Sequence, residues 1–228
     1  MSTPTTLYDI PSIASGKAWS PSVWKARYVL NYKGLPYQTE WVEYPDIEPL
    51  YGKIRVKSHI TKPDGVTPYY TLPVLHDAST GAVISDSAEI VRYLDKTYPD
   101  TPTIIPSGTD AFHYAFNEAL ENNFSALWHK GFFRDTKEKN TFKGRTFKEV
   151  APKGADKERE KIDAWMKEDD KYFMGDIISY VDFTISAWLL WIPIVYGADS
   201  KEWKDILTWH KGRWGALVKN LEKYEVVI

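Results

Sequence analysis

Two short segments place polar side chains where a helix should begin, and both could hold an anion. The first is Ser20-Pro21. Serine is a favoured N-cap and proline is preorganised for the first helical position. A helix start presents free N–H groups and the positive end of the dipole. The Ser20 hydroxyl can accept from one of those amides while donating elsewhere. The second is Asp86-Ser87-Ala88-Glu89. Asp86 with Glu89 three residues on forms a capping box in all but the choice of cap residue. The same helix start could offer the Ser87 hydroxyl and N–H to a carboxylate. Capping and ligand binding stay open for both segments. Between them, Thr71-Leu72-Pro73-Val74-Leu75 puts a proline at the head of a strand, where a cis bond in a tight turn is expected. The five histidines show no paired spacing and have no cysteine partners, so no metal site is expected. His129 beside Trp128 reads as a polar helix face.

The elements that must position these residues alternate in the first half. Thr5 to Ile10 reads as a strand ended by Pro11. A helix follows from Pro21, with Val23, Trp24, Tyr28 and Leu30 apolar, and stops at Gly34 ahead of Pro36. Tyr37 to Tyr44 alternates as a second strand, and 46–55 suits a short helix. Lys57 to Tyr70, with two prolines and a glycine, reads as a long loop. Leu72 to Leu75 and Ala82 to Ile84 form a hairpin, and a helix runs from Asp86 to Tyr98. A βαβ crossover of this kind implies a parallel pair extended by an antiparallel one.

The Pro-rich stretch 99–109 reads as a linker between residues 1–98 and an all-helical half, 110–228. Helices are expected over 110–130, 155–173 (with Ile162, Trp165 and Met166 inward), 180–196 (apolar nearly all round, hence buried) and, as one or two pieces, 201–224. Trp188 and Trp191 read as core, and the basic stretch 134–154 as an exposed loop rather than a nucleic-acid patch.

Composition removes whole classes of function. With 29 Lys and Arg against 31 Asp and Glu, no electrostatic case exists for nucleic acid or an anionic membrane surface. No apolar run approaches the ~20 residues that span a bilayer. The opening residues lack the pattern of a signal peptide. The absence of cysteine excludes disulfides and a cysteine nucleophile, and a cytoplasmic location is expected. Aromatics make up 15% of the chain, enough to furnish both a core and a cleft for flat organic molecules.

Leu72-Pro73, Asp86-Ser87 and Ser179-Tyr180-Val181-Asp182-Phe183, in this order and with this domain sequence, resemble the cytosolic glutathione transferases. The segment from Ala18 to Lys25, with the long loop before Pro73, is similar to the fungal FuA class, itself similar to bacterial lignin β-aryl etherases. The resemblance implies a thioredoxin-like N-terminal domain (βαβαββα) that holds glutathione and an all-α domain that lines the site of an apolar second substrate. It implies a cytoplasmic homodimer, with glutathione as co-substrate and small aromatic molecules as partners. Ser20 matches the position of the catalytic residue, where a hydroxyl donating to the glutathione sulfur would favour the thiolate. Ser15 and Ser22 are poorer candidates, and Tyr8 is the reserve. Asp86 and Ser87 match the pair that meets the α-amino and carboxylate groups of the γ-glutamyl end. Leu72 matches the residue whose backbone pairs with the cysteinyl part. Lys57, His59 and Lys62 are candidates for the glycyl carboxylate, each with a solvated-loop reading beside it. Ser179 and Asp182 match a structural capping box.

Three activities fit such a chain. One is an enzyme in which glutathione attacks an electrophilic carbon, or an oxidised or conjugated form of glutathione is reduced, with serine at the active position favouring nucleophilic transfer or aryl-ether cleavage. The second is a ligandin-like carrier of aromatic compounds. The third is a partnering protein, which the intact pair Asp86 and Ser87 argues against.

Overall fold

The strand that opens the chain, β1 (Thr6–Asp9), is buried along its whole length and becomes the second strand of a four-stranded sheet. The computed structural model describes residues 4–131 and 165–228, without the side chains of 121–131, Val195 and Glu202. After β1 come α1 (Pro21–Lys33), β2 (Gln38–Trp41), α2 (Ile47–Ile54), β3 (Val74–Asp77), β4 (Ala82–Ser85) and α3 (Ser87–Thr97). The strand order is β2-β1-β3-β4, with β1 and β2 parallel and the other pairings antiparallel. This is the thioredoxin-like βαβαββα arrangement, and the mixed sheet follows the crossover expectation. β2 is shorter than expected, because Pro45 lies inside a single 3-10 turn, Tyr44–Asp46, that leaves the sheet direction.

Local signals account for α1. Ser20 caps it, Pro21 takes its first position, and Gly34 ends it in the left-handed region at φ 65°. Its central side chain, Arg27, is fully buried and ties the helix to β1 and β2. Arg27 Nη2 lies 2.7 Å from Asp9 Oδ2, and Nη1 donates to the hydroxyls of Thr39 (3.0 Å) and Tyr37 (3.3 Å). The guanidinium also lies over the rings of Trp24, Tyr37 and Trp41, at 5.5–6.0 Å. Burial pushes the Asp9 carboxyl up to about 6, against the pull of Arg27. At the far end of the helix Lys33 bonds Asp95 of α3 at 2.7 Å. Asp95 in turn accepts the N–H groups of Ile104 and Ile105, tying down the stretch read as linker.

A second polar knot fixes the hairpin against α3. The Asp77 carboxylate is buried and accepts hydrogen bonds from Tyr93 and Tyr98, each at 2.6 Å, and from Ser79. Burial alone would raise this carboxyl, but the donors outweigh it and hold it at about 2. A free Asp titrates near ~3.9. The unfolded chain therefore takes up a proton first on acidification, so the stability Asp77 contributes is full above pH ~4 and lost as pH falls through about 2. Thermal melts of Asp77→Asn should show a flatter acid limb between those values than the parent does. An equal slope would mean that this carboxylate is not the titrating group.

The chain divides into two compact units, residues 1–105 with 221–228, and residues 106–220. The last eight residues thus fold with the first unit, although the sequence reading gave them to the helical half. Asn31 donates to the carbonyls of Tyr224 (2.7 Å) and Val226 (2.8 Å), and Tyr28 to the Glu225 carboxylate (2.8 Å). Thr39 N–H reaches the Ile228 carbonyl at 3.0 Å, along the outer edge of β2.

The second unit holds α4 (Asp110–Gly131), α5 (Tyr180–Tyr196) and α6 (Lys201–Leu221). In α4 the inward stripe is His113, Asn117 and Leu120, whereas Phe112 is exposed. α5 is buried almost throughout, with Trp188 and Trp191 in the core, and it starts in the expected capping box. The Asp182 carboxylate there accepts both the N–H and the hydroxyl of Ser179 at 2.9 Å. α6 is two helical pieces joined at Trp209–Gly212, where His210, Lys211 and Gly212 have positive φ.

The helix expected over 155–173 does not hold in its described part. From Trp165 to Phe173 the chain runs in turns. Asp170 takes the Lys167 N–H at 2.7 Å, satisfying that amide from a side chain within the turn. Tyr172 and Gly175 then pair across a turn that needs Gly175 at φ 74°. Trp165, expected inward, is 60% exposed. Residues 134–154 and Ile162, and the side chains of Trp128 and His129, lie outside the described residues.

Candidate functional site

Topology brings Ser20, Leu72, Asp86 and Ser87 to one end of the sheet. β1 runs toward the end where α1 starts, because α1 must return the chain to begin β2 parallel to β1. β3 runs antiparallel to β1, with Tyr8 opposite Val74, so Leu72 and Pro73 lie at that same end. Ser85 pairs with Val74, which delivers Asp86 and Ser87 there too.

Ser20 is buried at the N-cap of α1. Its Oγ accepts the Val23 N–H at 3.5 Å, the limit of a hydrogen bond, so the cap is loose. Among the described residues no acceptor engages its own proton. Ser15 is exposed in the preceding loop and Ser22 half-buried in the first turn. Tyr8 projects from the other face of the sheet. Asp9 meets α1 through Arg27, so by strand alternation Tyr8 points away from α1. Burial and then the Glu40 carboxylate push its hydroxyl up, which disfavours the tyrosinate.

The Leu72-Pro73 bond is cis, as expected, and Leu72 is buried. Asp86 caps α3 through its carboxylate, which accepts from Ala88 N–H at 2.8 Å and Glu89 N–H at 3.2 Å. Its backbone sits at φ 78°, ψ 133°, a region that favours glycine. Holding a non-glycine residue there costs about 1–3 kcal/mol, and such strain clusters where ligands are gripped. Ser87, at the first position of α3, is buried beside it.

The three loop cations separate. The Lys57 carbonyl accepts from the Ser85 hydroxyl at 2.9 Å, which fastens Lys57 beside the start of α3. His59 is exposed two residues farther out. Lys62 belongs to the outer turn, its N–H bonded to the Thr67 carbonyl and its charge acting on Asp64. Two buried hydroxyl residues in this region, Tyr51 and Ser85, were not singled out from the sequence. The only signal there was a serine at the last inward position of a strand just before Asp86.

Among the described residues no group of three or more His, Asp or Glu could hold a metal ion, and no helix is long and apolar enough to cross a membrane. What the geometry offers is a helix start with an available hydroxyl, a backbone edge at a cis-proline, and a second helix start with an acidic residue and a serine. That is a frame for an extended zwitterionic ligand carrying a nucleophilic or anionic centre.

Comparison with known proteins bears on this frame. Residues 19–97 match the N-terminal domain of glutathione S-transferases, and residues 111–224 their C-terminal domain. The chain is 30% identical to the glutathione S-transferase-like protein ustS of Aspergillus flavus, over 94% of this chain and 88% of that one. Among solved structures, a glutathione S-transferase of Ceriporiopsis subvermispora in complex with glutathione is 44% identical, with a TM-score of 0.82 over 99% of both chains. The glutathione transferase GSTFuA3 of Phanerochaete chrysosporium is 34% identical, with a TM-score of 0.85 over the full length of both. With both of its domains matched and its whole length shared with such relatives, the chain belongs to the glutathione S-transferase family.

Proposed function

We propose that this transferase binds glutathione across the end of its sheet and activates the thiol through Ser20. The observation that carries the reading is Ser20 itself, buried at the head of α1 with a loosely held oxygen and no acceptor for its proton among the described residues. The Asp86 carboxylate faces the α-amino group, and Ser87 with the α3 N-terminus takes the γ-glutamyl carboxylate. The Leu72 backbone pairs with the cysteinyl segment. Lys57, fastened by Ser85, is the best placed of the cations for the glycyl carboxylate. The glutathione complex of the 44% identical relative supports the ligand.

The thiol proton leaves to solvent, and the thiolate is stabilised by the Ser20 O–H and the helix start. Sulfur then forms a bond to an electrophilic carbon, and the leaving group departs with the electron pair. With an aryl ether that group is a phenolate, which takes a proton from water. Aromatic or phenolic electrophiles suit the ring-rich composition and the likeness to the FuA proteins. Homodimeric assembly and a cytoplasmic location belong to the same proposal and rest on the family resemblance.

The test compares Ser20→Ala with Ser20→Gly. Losing one hydrogen bond worth ~1.4 kcal/mol should raise the bound thiol pKa by about one unit. Both variants should then lose about tenfold in turnover near neutral pH and recover at alkaline pH, with glutathione affinity little changed. The alanine variant should also lose about 1 kcal/mol of stability as a missing cap, and glycine only a few tenths. Full activity of both variants across pH would leave Ser20 as a cap alone. If the parent itself turns over no electrophile while aromatic ligands bind tightly, the protein is a carrier.

A further inference from the structure

The proposed glutathione frame is assembled from three stretches of chain that share no secondary-structure element: the 57–70 loop, the Leu72-Pro73 segment and the start of α3. Two buried hydroxyls tie these stretches down, one from α2 and one from the end of β4. Tyr51, on α2, is 3% exposed and donates to the Thr71 carbonyl at 2.7 Å, one residue before Leu72. Its ring meets Tyr70 edge-on at 5.0 Å, so both Thr71 and the residue before it are held from one side chain. Ser85, 2% exposed, ends β4 opposite Val74 and donates to the Lys57 carbonyl at 2.9 Å. Burial pushes the Tyr51 hydroxyl up, hydrogen-bonding groups of Ser85 and Thr71 draw it back, and the Asp86 carboxylate adds to the rise.

The loop is closed at its base by a third hydroxyl, Ser58, whose single proton faces the carbonyls of Tyr69 (2.6 Å) and Ile60 (2.9 Å). Whatever places Lys57 and Thr71 therefore places both ends of the loop. Asp86 follows Ser85 directly and sits in a strained backbone conformation, which persists only where its surroundings over-determine it.

We infer that Tyr51 and Ser85 act as a pair of positioning residues, which hold the Leu72 backbone, Asp86 and Lys57 in mutual register for glutathione without touching it themselves. The inference rests on the glutathione reading above. It predicts an effect on ground-state binding and little on the chemical step, since Ser20 stands on a different helix.

The experiment measures glutathione affinity by calorimetry and steady-state kinetics for the full chain, Tyr51→Phe, Ser85→Ala and the double variant. Phenylalanine keeps the ring and its contact with Tyr70, and removes only the hydroxyl. Tyr51→Phe and Ser85→Ala should each raise the glutathione Kd and KM by about five- to tenfold, with kcat at saturating glutathione within about twofold of the parent. The double variant should lose less than the product of the single losses, because the hydroxyls act on one frame. Ser85→Thr, which keeps the hydroxyl, should restore most of the affinity. Unchanged glutathione affinity in the folded Tyr51→Phe protein, or a lower melting temperature with Kd untouched, would reduce the pair to structural bonds and overturn the inference. So would equal losses in kcat and kcat/KM. If the parent binds no glutathione, the glutathione reading itself falls, an outcome that the unmutated protein alone reveals.

Discussion

Replacing Arg27 with methionine is expected to destabilise the protein by about 3–5 kcal/mol near neutral pH, the range for a buried ion pair stripped of one partner. Asp9 would be left with only the Ile10 N–H, at 2.7 Å, as a partner for its carboxylate. The hydroxyls of Tyr37 and Thr39 would lose their donor, and Trp24, Tyr37 and Trp41 their cation. The pH dependence identifies the cause. Burial already raises Asp9 to about 6, and without Arg27 the folded protein must bind its proton more tightly still. A folded state that binds more protons than the parent gains on it as pH falls. The deficit should therefore shrink on going from pH 7 to pH 5, and Asp9→Asn with Arg27→Met should recover much of it at neutral pH. Denaturant titrations at the two pH values measure this. A deficit that does not change with pH would assign the loss to packing of the guanidinium on its rings.

The second large effect concerns the acidic-serine pair. Asp86→Ala combined with Ser87→Ala should weaken glutathione by at least about 2 kcal/mol, or roughly thirtyfold in Kd, because hydrogen bonds to charged groups are each worth about 1.5–3. Asp86 also caps α3, so an alanine there removes two functions together. Asp86→Asn separates them, since asparagine caps as well as aspartate does but carries no charge. The asparagine variant should keep the melting temperature and still lose affinity. Calorimetry that finds the asparagine variant binding as tightly as the parent would leave Asp86 with the cap and no ligand.

The division between what was legible in the sequence and what was not follows the range of the interactions. Ser20, Pro21 and Gly34 bound α1 through bonds to their own neighbours, so residue types and spacing sufficed. Asp86 is likewise local as a cap, although its positive φ has no sequence signature, since aspartate is not glycine. The Arg27–Asp9 pair spans 18 residues, and Tyr51 reaches 20 residues to Thr71. Such partners become visible only once register decides which face each strand residue takes. Asp77 with Tyr93 and Tyr98 is of the same kind. The misread helix shows the converse. Residues 165–173 carry the charge pattern of an amphipathic helix, yet one aspartate turned onto the Lys167 amide, followed by a turn at Gly175, diverts the backbone.

The first unit is discontinuous in sequence, and this constrains the order in which the chain can fold. Asn31 and Tyr37 bond backbone carbonyls 189–195 positions away, and Tyr28 bonds the side chain of Glu225, 197 positions away. On a ribosome these partners of α1 and β2 are made only after the helical unit, 106–220. Until then the outer edge of β2 lacks the carbonyl that Thr39 bonds, and an unpaired edge can pair with other chains. The nascent thioredoxin-like unit must therefore wait, nearly complete, through the synthesis of more than a hundred intervening residues (106–220). Pairings of such long sequence separation also form slowly in refolding. Closure of the first unit awaits residues 221–228, and chaperone dependence during synthesis should concentrate in that interval.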